Sequence, residues 1–151
     1  MEIVVDDLSG PEIAAFLDEH IRQLRAITPL ESKYALDLDA LRAPDITFWS
    51  VRDGNALVGC GALKRLAPDH AEVKSMRTSP TRQRSGIAAL LLDHIITEAQ
   101  RLGFTRLSLE TGADEFFLPA RRLYEKFAFD YCAPFADYQP SPHNTFMTRQ
   151  V

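Results

Sequence analysis

Cysteine is scarce in this sequence: of its 151 residues only Cys60 and Cys132 are cysteines, and they form no Cys-x-x-Cys pair and have no histidine at zinc-ligand spacing. This excludes a disulfide framework and gives no indication of a zinc site. No apolar run approaches the roughly 18 residues of a membrane-spanning helix, and the first residues form no basic-then-apolar leader. We therefore expect a cytoplasmic protein that neither crosses a membrane nor binds a metal.

Positive charge is also lacking, since the formal net charge is −4. General nucleic-acid binding needs a basic surface that replaces the counterions of the phosphates, so this composition argues against it. Internal repeats and low-complexity tracts are absent as well. The length fits one domain covering residues 1–151 that can bury a core without metals or disulfides.

Neither of two common phosphate-binding motifs occurs, because the chain has no Gly-x-x-x-x-Gly-Lys-Ser/Thr and no Gly-x-Gly-x-x-Gly after a strand. A different strand-to-helix turn is present. An alternating segment, 72–78, predicts a strand, and apolar residues at helical spacing from Ile87 to Leu102 predict a helix that ends at Gly103. The free backbone N–H groups and the dipole at such a helix start can bind a phosphate. The residues of this turn are Gln83, Arg84, Ser85, Gly86, Ile87 and Ala88, and Arg82 adds charge at its rim.

The remaining periodicity predicts an α+β fold with the order β-α-α-β-β-β-α-β-α-β-β. An Asp53-Gly54-Asn55 turn between two apolar segments predicts a β-hairpin. The later strand-helix-strand segment predicts a parallel crossover. The predicted elements are strands at 3–5, 47–52, 56–66, 72–78 and 105–111, strands near Tyr131 and Phe146, and helices from about residue 9 to 27, 37–42, 87–102 and about 117–127.

Three segments in sequence carry a resemblance to a known family. Gln83-x-x-Gly86-x-Ala88 resembles the Arg/Gln-x-x-Gly-x-Gly/Ala signature of the GCN5-related N-acetyltransferase (GNAT) superfamily. The segment 123–129, Leu-Tyr-Glu-Lys-Phe-Ala-Phe, resembles the family's late Leu-Tyr-x-x-x-Gly-Phe, and the alternating strand at 106–111 lies between the two motifs. The ending, Pro134 to Tyr138 followed by Phe146-Met147, is similar to that of the YsnE-like bacterial subgroup.

The resemblance implies a three-layer GNAT-like fold: a mixed, mostly antiparallel sheet of about six to seven strands, flanked by about four helices and splayed between strands four and five. It implies acetyl-coenzyme A (acetyl-CoA) as cosubstrate and no metal. The turn would bind its pyrophosphate, and backbone groups near Met76 and Thr78 would pair with its pantetheine arm. Two positions depart from the family pattern: Ala128 replaces a glycine, and Phe117 replaces an asparagine that could contact the pantetheine.

Acetyl transfer to an amine needs a base, donors for the oxyanion and an acid for the leaving thiolate. Glu72 matches the glutamate base of histone-type members, Glu110 on strand five is the second candidate, and the Thr78 N–H is the implied oxyanion donor. Tyr124 stands where many relatives protonate the thiolate. The alternatives are ordinary ones: Glu72 as a solvated strand residue, Tyr124 as a packing aromatic, and the turn as a plain helix start.

The expected activity is transfer of an acetyl group from acetyl-CoA to a primary amine of a small molecule, amino acid or peptide, by direct attack in a ternary complex. The alternative is a non-catalytic acyl-CoA-binding or sensing module. A homodimer is compatible with the resemblance but no residue predicts one. The acceptor is expected between 28–41 and 134–144, which contain Glu31, Tyr34, Asp37, Asp137, Tyr138 and His143.

Overall fold

The computed structural model describes residues 1–27 and 38–151. Seven strands and four α-helices lie in these residues, in the order that the sequence predicts. The strands are β1 (Glu2–Val5), β2 (Ile46–Asp53), β3 (Ala56–Ala67), β4 (His70–Thr78), β5 (Arg106–Gly112), β6 (Asp130–Tyr131) and β7 (Asn144–Gln150); the helices are α1 (Pro11–Ile27), α2 (Leu38–Leu41), α3 (Ile87–Arg101) and α4 (Leu118–Lys126).

All seven strands form one mixed sheet with the order β1-β2-β3-β4-β5-β7-β6. Every pair of neighbours is antiparallel except β4 and β5, which are parallel and are joined through α3. The predicted hairpin is present, because β2 and β3 pair from Ile46 and Lys64 to Asp53 and Ala56. The α+β prediction is therefore confirmed.

Helices cover both faces of the sheet, which gives three layers. The larger apolar cluster joins α3 and α4 to one face, with Leu91, Ile95 and Tyr124 buried among the strand residues. A smaller cluster lies on the opposite face, where Ile13 and Leu17 of α1 contact the sheet. We call these the α3 face and the α1 face. No helix in the described ranges is long and apolar enough to cross a membrane.

A β-bulge interrupts β4 where it faces β3. The register shifts between Cys60 and Ala62, and Ser75 on the opposite strand has φ 56°. One extra residue in a strand reverses which side chains face which side of the sheet. Lys74 pairs with Ala62 and Arg77 pairs with Cys60, and both of these β3 residues belong to the α1-face cluster. Lys74 and Arg77, three residues apart, therefore lie on the same face.

Strands β4 and β5 separate after a short paired stretch. They pair only from His70 and Arg106 to Val73 and Leu109, although both strands continue beyond this point. The splay predicted between strands four and five is thus present. Lys74 on β4 and Glu110 on β5 are the first residues past the last pair.

The end of α4 keeps the left-handed turn despite its alanine. Ala128 has φ 67°. The Phe129 N–H donates to the Tyr124 carbonyl at 3.0 Å, and the Ala128 N–H donates to the Glu125 carbonyl at 3.0 Å. This is the double hydrogen bond of a Schellman motif. The motif is formed at the energetic cost that a Cβ imposes in this conformation.

Candidate active site

The turn before α3 has the geometry of an anion-binding helix start. Arg84 has φ 63°, Gly86 has φ 87°, and helix α3 begins at Ile87. The first N–H of the helix bonded to this turn is that of Leu90, which donates to the Gly86 carbonyl at 3.0 Å. Among the described residues, the N–H groups from Gly86 to Ala89 have no protein acceptor outside the helix itself. They are available to an anion.

The side chains of this turn divide into two groups. Gln83, Arg84, Ser85 and Gly86 are exposed, and a Cβ placed on Gly86 would meet no atom within 4 Å. Ile87 is buried and packs against Gly59 of β3, while Ala88 is half-buried. Ile87 and Ala88 therefore offer a ligand their backbone N–H groups rather than polar side chains.

Arg82 and Arg84 differ in their surroundings, although the sequence places both at the rim. The Arg82 guanidinium donates to the Asp53 carboxylate at 2.6 Å, so part of its charge is neutralised by the β2–β3 turn. That hydrogen bond lowers the pKa of the Asp53 carboxyl. Arg84 forms no ion pair with the described part of the chain, so its guanidinium can pair with a negatively charged ligand.

Met76 and Thr78 lie on the unpaired part of β4, beyond the point where β5 separates. Thr78 pairs with Gly59, and the Met76 side chain contacts Gly61 and belongs to the core on the α3 face. On the β5 side, the backbone of this segment has no strand partner. A pantetheine arm can pair with such an unoccupied strand edge.

Glu72 is not a solvated strand residue. It is 3% exposed, and its carboxylate accepts hydrogen bonds from the Lys74 ammonium at 3.0 Å and from the Tyr138 hydroxyl. The Lys74 ammonium also donates to the Tyr138 hydroxyl at 2.9 Å. Each of these three side chains is hydrogen-bonded to the other two. Through them, Tyr138 in the loop before β7 is bound to Glu72 and Lys74 on β4.

Glu110 lies on the same face, in register with Phe146 of β7. Burial raises the pKa of its carboxyl to about 7, with the negative charge of Glu72 adding to the effect and the positive charge of Lys74 opposing it. No donor in the described ranges bonds to it. A carboxyl group with this pKa can accept and return a proton near neutral pH.

Tyr124 is buried in the α3-face core, and its ring packs edge-on against Phe129 at 5.7 Å. Burial, and then the charge of Glu110, raise the pKa of its phenol above the usual value. Glu110, the first β5 residue past the last pair with β4, is thus close enough to Tyr124 to act on it electrostatically. Tyr124 therefore stays protonated across the working pH range.

Glu72 and Glu110 lie on one face of the sheet, where their charges interact, and the charge of Glu110 also acts on Tyr124 in the α3-face core. The cofactor-binding candidates lie along β4 and the start of α3. Sequence reasoning missed Lys74, and named Tyr138 only as a residue of the acceptor loop. The hydrogen bond between Tyr138 and Glu72 joins residues 66 positions apart in sequence, and no local pattern predicts such a contact. The predicted acceptor residues Glu31, Tyr34 and Asp37 fall outside the described residues.

Phe117, which stands where the family pattern has an asparagine, packs against its neighbours. It precedes α4, and its ring lies against Gly112 at the end of β5, where any Cβ would collide with it. The Arg121 guanidinium in α4 donates to the Gly112 carbonyl at 2.7 Å and to the Asp114 carbonyl at 2.9 Å. In the described ranges no group of three or more histidine, cysteine or acidic side chains could hold a metal ion.

The family model of the acetyltransferase (GNAT) family matches residues 13–129 of this chain. The chain belongs to the GNAT family. It is 50% identical to the Bacillus subtilis (strain 168) N-acetyltransferase YsnE, itself uncharacterised, over the full length of both chains. It is 47% identical to the uncharacterised Escherichia coli (strain K12) N-acetyltransferase YedL, over 97% of this chain and 92% of YedL.

The fold of this GNAT protein is shared with solved structures of low sequence identity. A crystal structure from Klebsiella pneumoniae, provisionally described as an acyl-CoA N-acyltransferase, superimposes with a TM-score of 0.79 at 22% identity. The alignment covers 99% of this chain and 96% of the other. The protein is an acetyltransferase with the fold of its family, and the resemblance seen in its sequence is confirmed.

Proposed function

We propose that this GNAT protein transfers an acetyl group from acetyl-CoA to a primary amine of a small molecule, amino acid or peptide. The observation that carries the proposal is the splay between β4 and β5, which begins at Glu110. The pKa of Glu110 is near neutrality, and the charge of Glu110 acts on Tyr124, which stays protonated. Direct attack by the amine needs both a proton acceptor and a proton donor, and a site that only binds the cofactor needs neither.

The donor would lie along the unpaired edge of β4, with its pyrophosphate at the start of α3. The free N–H groups after Gly86 and the charge of Arg84 are the complementary features. Backbone groups near Met76 and Thr78 would pair with the pantetheine arm, and the Thr78 N–H would donate to the developing oxyanion. Acetyl-CoA is the donor of the family, and the choice between acetyl and longer acyl groups is part of this proposal.

We propose Glu110 as the group that accepts the proton from the amine, with Glu72 as the negative charge that raises the pKa of Glu110. Glu72 already accepts hydrogen bonds from Lys74 and Tyr138, so taking a proton would disrupt that buried cluster. Glu110 has no such donor among the described residues, and its pKa of about 7 suits a base that works near neutral pH. This reverses the order of preference that the sequence resemblance suggests.

We propose Tyr124 as the acid that protonates the coenzyme A thiolate. Its burial disfavours the phenolate, and the same low-polarity surroundings make a thiolate a stronger base. Replacement by phenylalanine keeps the edge-on packing with Phe129 and removes only the hydroxyl.

The decisive experiment is a thiol-release assay with acetyl-CoA against amines, amino acids and peptides. We expect turnover with at least one class, a loss of about 100-fold in kcat for Glu110→Gln and of at least tenfold for Tyr124→Phe. Glu115→Gln is the matched control, because Glu115 is exposed. Tight coenzyme A binding without turnover across the panel would instead favour the alternative, a non-catalytic acyl-CoA-binding or sensing module.

A further inference from the structure

Arg77 is a buried cation on the α1 face, just before the end of the splayed strand. The bulge at Ser75 turns its side chain to this face, opposite Cys60. Without the extra residue, alternation from Val73 would direct position 77 into the α3-face core. The residue is only 9% exposed. A guanidinium is rarely buried to this extent unless a negative group pairs with it.

The described side chains that contact the Arg77 guanidinium are neutral. It donates to the Gln23 amide oxygen at 2.6 Å, approaches His20 Nδ1 at 3.3 Å, and lies 5.0 Å from the centre of the Phe16 ring. Burial, together with the charge of Arg77, lowers the pKa of His20 to about 4, so this imidazole is uncharged at neutral pH. The charge of Glu19 also acts on Arg77, but no ion pair between them forms.

One polar atom of this guanidinium has no hydrogen-bond partner among the described residues. Arg77 Nε is buried and lacks a hydrogen-bond acceptor, one of three such side-chain atoms in the described part of the chain. The cluster of Phe16, His20, Gln23 and Arg77 therefore keeps a net positive charge and an unused donor. A carboxylate would offset both, since it carries the opposite charge and can accept two parallel N–H bonds from a guanidinium.

The position of Arg77 relates this charge to the reaction. It immediately precedes Thr78, whose N–H is the proposed oxyanion donor, and it shares the α1 face with Lys74, next to the Glu110 side of the splay. We propose that Arg77 binds a carboxylate carried by the acyl acceptor, so that the acceptor is an amino acid or a related amine with a carboxylate. This inference rests on the proposed function and specifies the substrate class of that site.

The test compares matched acceptors that differ in one group. α-Amino acids, β-alanine and 4-aminobutyrate are each assayed beside the corresponding carboxamide, with acetyl-CoA as donor. We expect the wild-type enzyme to prefer at least one acid over its amide. Arg77→Gln should lower kcat/KM for that acid about 100-fold, as loss of one partner of a buried charge pair does, and change the amide less than threefold. Because the same two acceptors are compared in both enzymes, the different basicities of their amines cancel.

Two further variants separate recognition from structure. Arg77→Lys keeps the charge but loses the paired N–H geometry, and should give an intermediate loss for the acid. Arg101→Gln, at the exposed end of α3, should leave the preference unchanged. Equal use of acids and amides by the wild type, or an equal loss for both in Arg77→Gln, would overturn the assignment.

An equilibrium measurement covers the remaining outcomes. If Arg77→Gln does not fold, the N-acetyl amino acid should inhibit the wild-type enzyme at least tenfold more strongly than the N-acetyl amino amide, and equal inhibition contradicts the inference. If no amine is acetylated, the proposed function fails by itself. The carboxylate site then stands only if the N-acetyl amino acid, unlike its amide, raises the melting temperature of the wild type.

Discussion

Ala128 shows at the residue scale how a sequence departure is absorbed. The left-handed end of α4 is formed with φ 67°, although glycine is the usual residue of such a turn. Because a Cβ in this conformation costs energy, we expect Ala128→Gly to raise the free energy of unfolding by about 0.5–1 kcal/mol. Urea denaturation measures the change. Ala15→Gly, at an exposed position of α1, is the control and should destabilise by a similar amount; the same sign for both variants would contradict the explanation.

The buried pair of Glu72 and Lys74 provides a second prediction at this scale. Lys74→Met leaves the Glu72 carboxylate without its cation in a site where both side chains are less than 10% exposed. We expect a loss of about 3 kcal/mol in the free energy of unfolding. In the double variant Glu72→Gln/Lys74→Met the uncompensated charge is gone, so most of that loss should be recovered. Denaturation of both single variants and the double variant completes the cycle, and additive effects would show that the pair is not coupled.

The residues of the site could be named from the sequence more readily than their partners. The sequence predicts Glu72, Glu110 and Tyr124 as candidates because local motifs and the family resemblance fix their positions relative to the Gly86 turn. The environment that gives Glu72 its role depends on Tyr138, which reaches β4 only after the chain has passed through β5, α4 and β6. Pairings of this kind depend on three-dimensional packing, for which one sequence carries no periodic signal.

At the scale of elements, helix α3 has a glycine with positive φ at each end. Gly86 has φ 87° and Gly103 has φ 90°, and a Cβ on either meets no atom within 4 Å. Gly86→Ala and Gly103→Ala should therefore each destabilise the protein by about 1 kcal/mol. Only Gly86→Ala places a methyl group against the proposed pyrophosphate, so it alone should weaken acetyl-CoA binding, by at least tenfold. Isothermal titration gives both affinities; equal affinities would refute the assignment of the loop.

The elements themselves were predicted well where their patterns are local. The hairpin at Gly54, the strand before the turn and the long α3 all lie within one or two residues of their predicted bounds. The bulge at Ser75 was not predicted. The alternating pattern of a strand carries no signal that marks one of its residues as the site of a bulge with positive φ. That single residue decides that Arg77 faces α1 rather than the α3-face core.

At the scale of the whole molecule, the activity should depend on pH through the charges gathered on the α1 face. The described groups that are electrostatically coupled to Glu110 are Glu72 and Lys74 on β4 and Tyr124 on α4. Tyr138 from the loop is hydrogen-bonded to Glu72 and Lys74. Since the pKa of Glu110 is about 7, kcat/KM should fall as the pH drops through this value and the base becomes protonated. The inflection is measured from initial rates of thiol release between about pH 5.5 and 9.

Two neutralising substitutions should move this inflection in opposite directions, which separates Glu110 from the titration of the acceptor amine. Glu72→Gln removes a charge that raises the pKa of Glu110, so the inflection should move to lower pH; Lys74→Met removes a charge that lowers it, so the inflection should move to higher pH. The acceptor titrates identically with every variant, and Glu115→Gln on the exposed surface should leave the profile in place. If both substitutions shift the inflection in the same direction, or neither does, the proton is accepted by a group other than Glu110.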